Sequence, residues 1–313
     1  MINREYLQKL LWWMSQPHSF YVLGAGASFG LVPTTPQLKS FVAEKYREIG
    51  IYPTEPAYRS ALYERIIGNF PSYVQDVGQL LLRNIAKGTL DLLVQRGLWR
   101  DLHGMIPPQY EVFNLLGYPA TIFNFNLDGL GSAYCELKHI VLEPHGTIDR
   151  YWLTDRNYKE LLEETSIYNL KLPHITPKIL PSPEPSAITS TQAYIFGRRL
   201  FRLAPAVLLI GYSFGRYNDT FDDAESFEYF VDLLKMYPRP VFVLSPSPDE
   251  LVELIQQRLS SYDVYPIAVR WEILSSTILA VCKCSQGLPS CWCNQQLDTF
   301  ERLYYDTLET NFT

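Results

Sequence analysis

Short apolar runs recur along the chain, with stretches of helical spacing between them. Phe20 to Leu23 is a run of four large apolar residues and predicts a strand. Pro36 to Ile49 places Leu38, Phe41, Val42 and Tyr46 near helical spacing, and Ser72 to Gly97 predicts one or two helices. "PATIFNFN" (Pro119 to Asn126) and "HIVLEP" (His139 to Pro144) are rich in β-formers and predict the next two strands. From Trp152 to Ile188 the period fades among scattered prolines, which marks a connecting loop or a small inserted lobe. Regularity returns with a helix near Thr191 to Leu203, then the buried strand "PAVLLIGYSFG" (Pro205 to Gly215). A helix near Asp223 to Met236, the strand "PVFVLSPS" (Pro240 to Ser247) and a helix over Pro248 to Ser260 follow.

Strands that are nearly all apolar, alternating with helices, predict an α/β fold. The sheet is Rossmann-like and parallel, covered by helices on both faces, because only burial on both faces removes the polar half of the strand pattern. The organisation expected is a main domain over residues 1–265, with a small helical inserted lobe or loop at about 152–188, and a C-terminal extension over 266–313. That extension breaks the alternation. It is expected to add an edge strand at "PIAVRWEIL" (Pro266 to Leu274), a cysteine hairpin and a closing helix.

Composition narrows this further. The chain has 313 residues, 47% apolar, enough for a sizeable core and against disorder. Its net charge of -6 is unlike the basic surface of a free-standing nucleic-acid binder, so no direct nucleic-acid binding is expected. No apolar stretch approaches bilayer-spanning length. The N-terminal run Leu10 to Met14 is too short for a signal-peptide core and reads as part of an amphipathic helix. A cytoplasmic protein is expected. Trp12, Trp13, Trp292 and Tyr304 are candidates for exposed contact residues, although core packing explains them equally.

Five cysteines are present. Cys135 stands alone, whereas Cys282, Cys284, Cys291 and Cys293 form C-x-C-x6-C-x-C. On a strand, C-x-C puts both sulfurs on one face, and two such pairs can close a tetrahedral zinc hairpin. The commoner ligand spacing is C-x2-C, so reduced thiols packing a C-terminal element are the alternative.

In an open parallel sheet, ligands bind outside the carboxyl ends of the strands. Small and polar residues gather at that edge. Gly24-Ala25-Gly26-Ala27-Ser28 follows the first strand, and Asn126 and Asp128 follow the second. His145-Gly146 follows the third, Gly211-Tyr212-Ser213-Phe214-Gly215 the fourth, and Ser245 the fifth. A glycine turn entering a helix lets backbone amides approach a pyrophosphate. Glycine also simply relieves strain in such turns, and Phe29 stands where the third glycine of G-x-G-x-x-G would be. Asn and Asp also cap helices, and a lone histidine is often a structural hydrogen-bonder. His145, between Pro144 and Gly146, sits at the mouth of the predicted edge, where an imidazole can take a proton from a ribose hydroxyl or a water.

Taken in order, Gly-Ala-Gly-Ala-Ser, Asn-Phe-Asn-Leu-Asp, His-Gly and Gly-Tyr-Ser-Phe resemble the SIR2 superfamily. Its sirtuin deacylases carry G-A-G-x-S, T-Q-N-I-D, H-G and G-T-S. The resemblance spans Phe20 to Ser247. The departures are informative. Phe125 replaces the sirtuin Gln, the loop Phe29-Gly-Leu-Val-Pro33 lacks the Asp-Phe-Arg that covers the cofactor, and Arg150 to Ser186 holds no cysteine for the sirtuin zinc module. This is similar to divergent prokaryotic SIR2-like proteins, many of which hydrolyse NAD+ in anti-phage defence, alone or with an Argonaute or a motor ATPase.

The resemblance implies NAD+ as substrate, with Asn126 and His145 catalytic. Gly24, Ala25, Gly26, Ala27, Ser28, Asn126, Asp128, Gly211, Tyr212, Ser213, Phe214 and Ser245 would bind NAD+, with no catalytic metal. Control would lie in a homo-oligomer or a separately encoded partner. A non-catalytic module binding NAD+ or ADP-ribose, and an NAD-dependent protein deacylase, are the competing functions.

Overall fold

The computed structural model describes residues 2–31, 106–126, 130–144, 146–153, 175–179, 192–214, 224–259, 263–282, 292 and 294–310. Helices expected at Pro36 to Ile49 and Ser72 to Gly97 lie outside these residues.

The chain opens with α1 (Arg4–Met14). Its buried residues Leu7, Leu10, Leu11 and Met14 recur at helical spacing, and the Asn3 side chain accepts from the Tyr6 amide to cap the first turn. Strand β1 (Phe20–Leu23) then leads into a 3-10 turn, Ala25–Ser28. After α2 (Pro108–Asn114) come β2 (Thr121–Asn124), α3 (Leu130–Tyr134) and β3 (Ile140–Leu142). An antiparallel pair follows, β4 (Gly146–Leu153) with β5 (Ile175–Ile179). The chain continues through α4 (Gln192–Phe201), β6 (Val207–Ile210), α5 (Ala224–Met236), β7 (Val241–Ser245) and α6 (Asp249–Arg258). It closes with β8 (Val264–Ala268), α7 (Trp271–Cys282) and α8 (Asn294–Thr310).

Six strands form one parallel sheet in the order β3-β2-β1-β6-β7-β8. Counted along the chain this is a doubly wound Rossmann-like sheet, whose direction of growth reverses between β1 and β6. Strand side chains alternate between two cores, as the two-residue period of a strand requires. Tyr21, Leu23, Ile122, Leu208, Ile210, Phe242 and Leu244 point to the face covered by α1, α2, α3, α7 and α8. Phe20, Val22, Phe123, Val207, Leu209, Val241 and Val243 point to the face covered by α4, α5 and α6. Each large apolar side chain so buried contributes about 1.5–3 kcal/mol. The second face is aromatic: Phe20, Phe123, Phe201 and Phe230 meet largely edge to face.

The C-terminal extension differs in detail from the sequence reading. The edge strand is β8, ending at Ala268, and Trp271 onward is helix. Trp271, Ile273, Leu274 and Ile278 are core residues of α7, which packs on α2 rather than pairing with the sheet. Cys282 ends α7 and is buried, so the first C-x-C pair starts on a helix and not on a strand face. Cys284, Cys291 and Cys293 lie outside the described residues. Trp292 and Tyr304 pack in the core around Phe300, which leaves Trp12 as the exposed member of the four aromatics. Burial, then the charge of Glu143, pushes the Cys135 thiol up to about 12, which keeps it a neutral apolar filler. No helix among the described residues is long and apolar enough to cross a membrane.

His139 pins the start of β3 to β2. Its Nδ1 accepts from the Ala120 amide at 3.2 Å, and its ring is buried. Burial first, then Lys138, holds its pKa below the usual value of 6.5. The unfolded chain therefore binds a proton that the folded chain refuses. The stabilisation is full above about pH 6.5 and declines as pH falls toward the folded pKa. Thermal melting between pH 7.5 and 5.5 is expected to show a falling midpoint, with a shallower fall in His139→Gln. Equal slopes in the two proteins would remove His139 as the cause.

Candidate active site

The site lies where the sheet reverses direction, at the carboxyl ends of β1, β2 and β6. After β1 the chain turns through Gly24 and the 3-10 turn, and after β6 it turns through Gly211. The two turns interlock. The Gly26 amide donates to the Gly211 carbonyl at 3.0 Å, and the Gly24 amide to the Ile210 carbonyl at 3.0 Å. A Cβ on Gly24 would stand 2.5 Å from the Tyr212 Cα, and one on Gly26 2.7 Å from the Gly211 Cα. Gly211 has φ of 57° and its own Cβ would stand 2.4 Å from the Gly26 Cα. The glycines are thus required by the approach of one loop to the other.

This close packing engages most of the turn's amides. Ala27 donates to the Gly24 carbonyl and Phe29 to the Gly26 carbonyl, at 2.8 and 3.4 Å. Ala25 is exposed and Gly26 half-buried at the surface of the turn, whereas Gly24, Ala27 and Ser28 are buried.

Asn126 sits two residues past β2 and is buried, at 8% exposure. Its amide donates to Asn124 Oδ1 at 3.1 Å, and its Nδ2 donates to Ser28 Oγ at 3.0 Å. Ser28 Oγ also bonds the Tyr110 hydroxyl at 2.6 Å. The structure therefore brings together the first and second loops marked in the sequence. Asp128 and His145 lie outside the described residues.

On the β6 side, Gly211, Tyr212 and Ser213 are half-buried. Tyr212 stacks on Phe125, ring centroids 4.3 Å apart and 15° from parallel. Phe214 has φ of 53°, unusual for a residue with a Cβ, and its ring packs into the core against Phe227 and Phe230. Phe214 can then serve a ligand only through its backbone. Ser245 lies two strands' width from β1, at the end of β7, with its hydroxyl accepting from the Ser247 amide at 3.0 Å.

Two buried neighbours lie outside the sequence motifs, Gln109 and Tyr110, and a third, Asn124, opens the second motif without being singled out there. Gln109 Nε2 donates to the Phe29 carbonyl at 3.2 Å, and its own carbonyl accepts from Trp271 Nε1 at 3.0 Å. The available signal was Pro107-Pro108, a helix start that fixes where the following residues point.

Comparison with known proteins agrees on the fold. No family model matches the chain, and no curated protein matches it significantly. Among solved structures, it is similar to a Sir2 enzyme from a study of the mechanism and regulation of Sir2 enzymes. That match has 14% identity and a TM-score of 0.50, over 97% of this chain and 99% of that one. Sir2Tm bound to a propionylated peptide is also similar, with 14% identity and a TM-score of 0.42, over 89% of this chain and 99% of that one. The fold is therefore SIR2-like, on the strength of the first of these.

The interlock has a direct test. Gly211→Ala combines a forbidden contact with a left-handed backbone and is expected to destabilise by roughly 2–4 kcal/mol. Gly117→Ala, with nothing within 4 Å of the new methyl, should stay within about 0.5 kcal/mol of the parent in denaturant melts. Equal stability of the two variants would show that the loops do not meet.

Proposed function

We propose that the chain is an NAD+ glycohydrolase that cleaves the nicotinamide–ribose bond to nicotinamide and ADP-ribose. The observation that carries this is the buried Asn126, fixed to Ser28 of the glycine turn beside the point where the sheet reverses. The SIR2-like fold supports the choice of NAD+, as does the order of the four motifs along the chain.

In this reading the pyrophosphate rests at the Ala25 end of the turn, because the amides of Gly24, Gly26, Ala27 and Phe29 are engaged within the protein. Tyr212 and Ser213 line the opposite wall and meet ribose or phosphate, and Ser245 lies toward the adenosine ribose. The nicotinamide ribose lies beside Asn126. As the C1′–N bond breaks, the electron pair leaves with nicotinamide and the sugar gains oxocarbenium character. Water adds to C1′ and its proton passes to a base. Asn126, with Nδ2 held by Ser28, offers its carbonyl oxygen to orient that water or a ribose hydroxyl. His145 is the base, or the partner of the ribose hydroxyl, and Asp128 braces the loop between them.

The lack of cysteines between Arg150 and Ser186, where sirtuin deacylases carry their zinc module, favours hydrolysis over peptide deacylation. We further propose that activity depends on self-association or on a separately encoded partner such as a motor ATPase or Argonaute, and that it serves anti-phage defence through NAD+ depletion.

Chromatography of NAD+ incubated with the purified chain, at low and high protein concentration, tests the reading. Nicotinamide and ADP-ribose are expected without any acylated peptide, with more turnover per chain at high concentration. Asn126→Ala is expected to lower kcat by about 100-fold or more, and His145→Ala similarly. Nicotinamide released only with an acylated peptide would make the chain a deacylase. NAD+ binding without turnover at any concentration or with candidate partners would make it a binding module.

A further inference from the structure

We propose that Tyr110 is a positioning residue for Asn126, acting through the Ser28 hydroxyl. The proposal rests on the reading of Asn126 as the residue that meets the nicotinamide ribose. Its basis is a continuous buried chain from Tyr110 OH to Ser28 Oγ at 2.6 Å and from Ser28 Oγ to Asn126 Nδ2 at 3.0 Å. Tyr110 and Ser28 are both fully buried.

A carboxamide has two orientations of nearly equal shape, so its neighbours decide which way it faces. Ser28 has one hydroxyl proton. The bond to Tyr110 restrains the Ser28 hydroxyl, and the Ser28 oxygen accepts from the NH2 of Asn126. The carbonyl oxygen of Asn126 then faces away from Ser28. Without the Tyr110 hydroxyl, the Ser28 hydroxyl loses that restraint, and with it part of the hold on the orientation of the Asn126 carboxamide. Bulk water does not compete for these bonds, because all three groups are buried.

Tyr110 is well placed for this because its helix cannot drift. It lies in the first turn of α2, where its amide donates to the Pro107 carbonyl at 2.9 Å. The preceding residue holds both sides: Gln109 Nε2 reaches the Phe29 carbonyl of the glycine turn, and Trp271 Nε1 of α7 reaches the Gln109 carbonyl. From the other side, Asn124 Oδ1 fixes the Asn126 backbone amide. Asn126 is thereby set by two different strand-exit segments and one helix.

Tyr110→Phe keeps the ring and removes the hydroxyl. In the full chain it is expected to lower kcat for NAD+ cleavage about 10-fold or more, with KM for NAD+ changed less than about 3-fold. The double variant with Ser28→Ala should be no slower than Ser28→Ala alone, because one relay is being broken twice. A second readout is independent of turnover. In chain labelled with 15N-asparagine, the side-chain NH2 signal that disappears in Asn126→Ala should move in Tyr110→Phe, as it does in Ser28→Ala. If the parent chain cleaves no NAD+, the functional reading fails while this signal still decides the relay. An Asn126 NH2 signal that Ser28→Ala moves and Tyr110→Phe leaves in place would overturn the proposal. So would additive losses of kcat, or a Ser28→Ala variant with the parent's signal.

Discussion

The structure depends on one backbone-to-backbone contact, the meeting of Gly26 with Gly211 where the sheet reverses direction. Two central parallel strands leave the sheet side by side, and their loops must pass within a distance that excludes any Cβ. Glycine satisfies this at both positions, and the left-handed turn at Gly211 completes it. The contact has a consequence for chemistry. It fixes the height of the 3-10 turn above the sheet, and with it the Ser28 hydroxyl on which Asn126 rests. A site assembled from the exits of β1 and β2 is therefore held to geometry set between β1 and β6.

The aromatic layer supports the same edge from below. Phe125 stands beside Asn126 and stacks on Tyr212, which in turn lies against the buried Phe214. Phe125 also meets Phe123 and Tyr194, which tie it to the strand and to α4. A glutamine at position 125 would have brought hydrogen-bonding capacity to this wall. Phenylalanine brings rigidity and excludes water. In the proposed reading, polar recognition then falls to Asn126, Ser28 and the backbone.

Much of the fold was legible because fully buried strands leave an unmistakable trace. Phe20 to Leu23, the Val-Leu-Leu-Ile of β6 and the Val-Phe-Val-Leu of β7 carry no polar face and are bounded by turn residues. Continuous apolar runs mislead where a helix is also buried all round. Pro266 to Leu274 reads as one strand, yet the chain breaks after Ala268 and α7 starts at Trp271. The reason is tertiary: Trp271 has an indole N–H to satisfy, and it does so on the Gln109 carbonyl across the helix pair. The same long-range pairing hid Tyr110, which lies 82 residues from Ser28 in sequence and meets it at 2.6 Å. Motif reading finds the residues that cluster at strand ends. It does not find the helix that comes from elsewhere to hold them.

A crystal structure of the chain grown with ADP-ribose tests the central claim most directly. The diphosphate is expected at the Ala25 end of the glycine turn, with one ribose beside Asn126 and the other toward Ser245. ADP-ribose bound elsewhere on the chain, with this crevice filled only by ordered solvent, would contradict it.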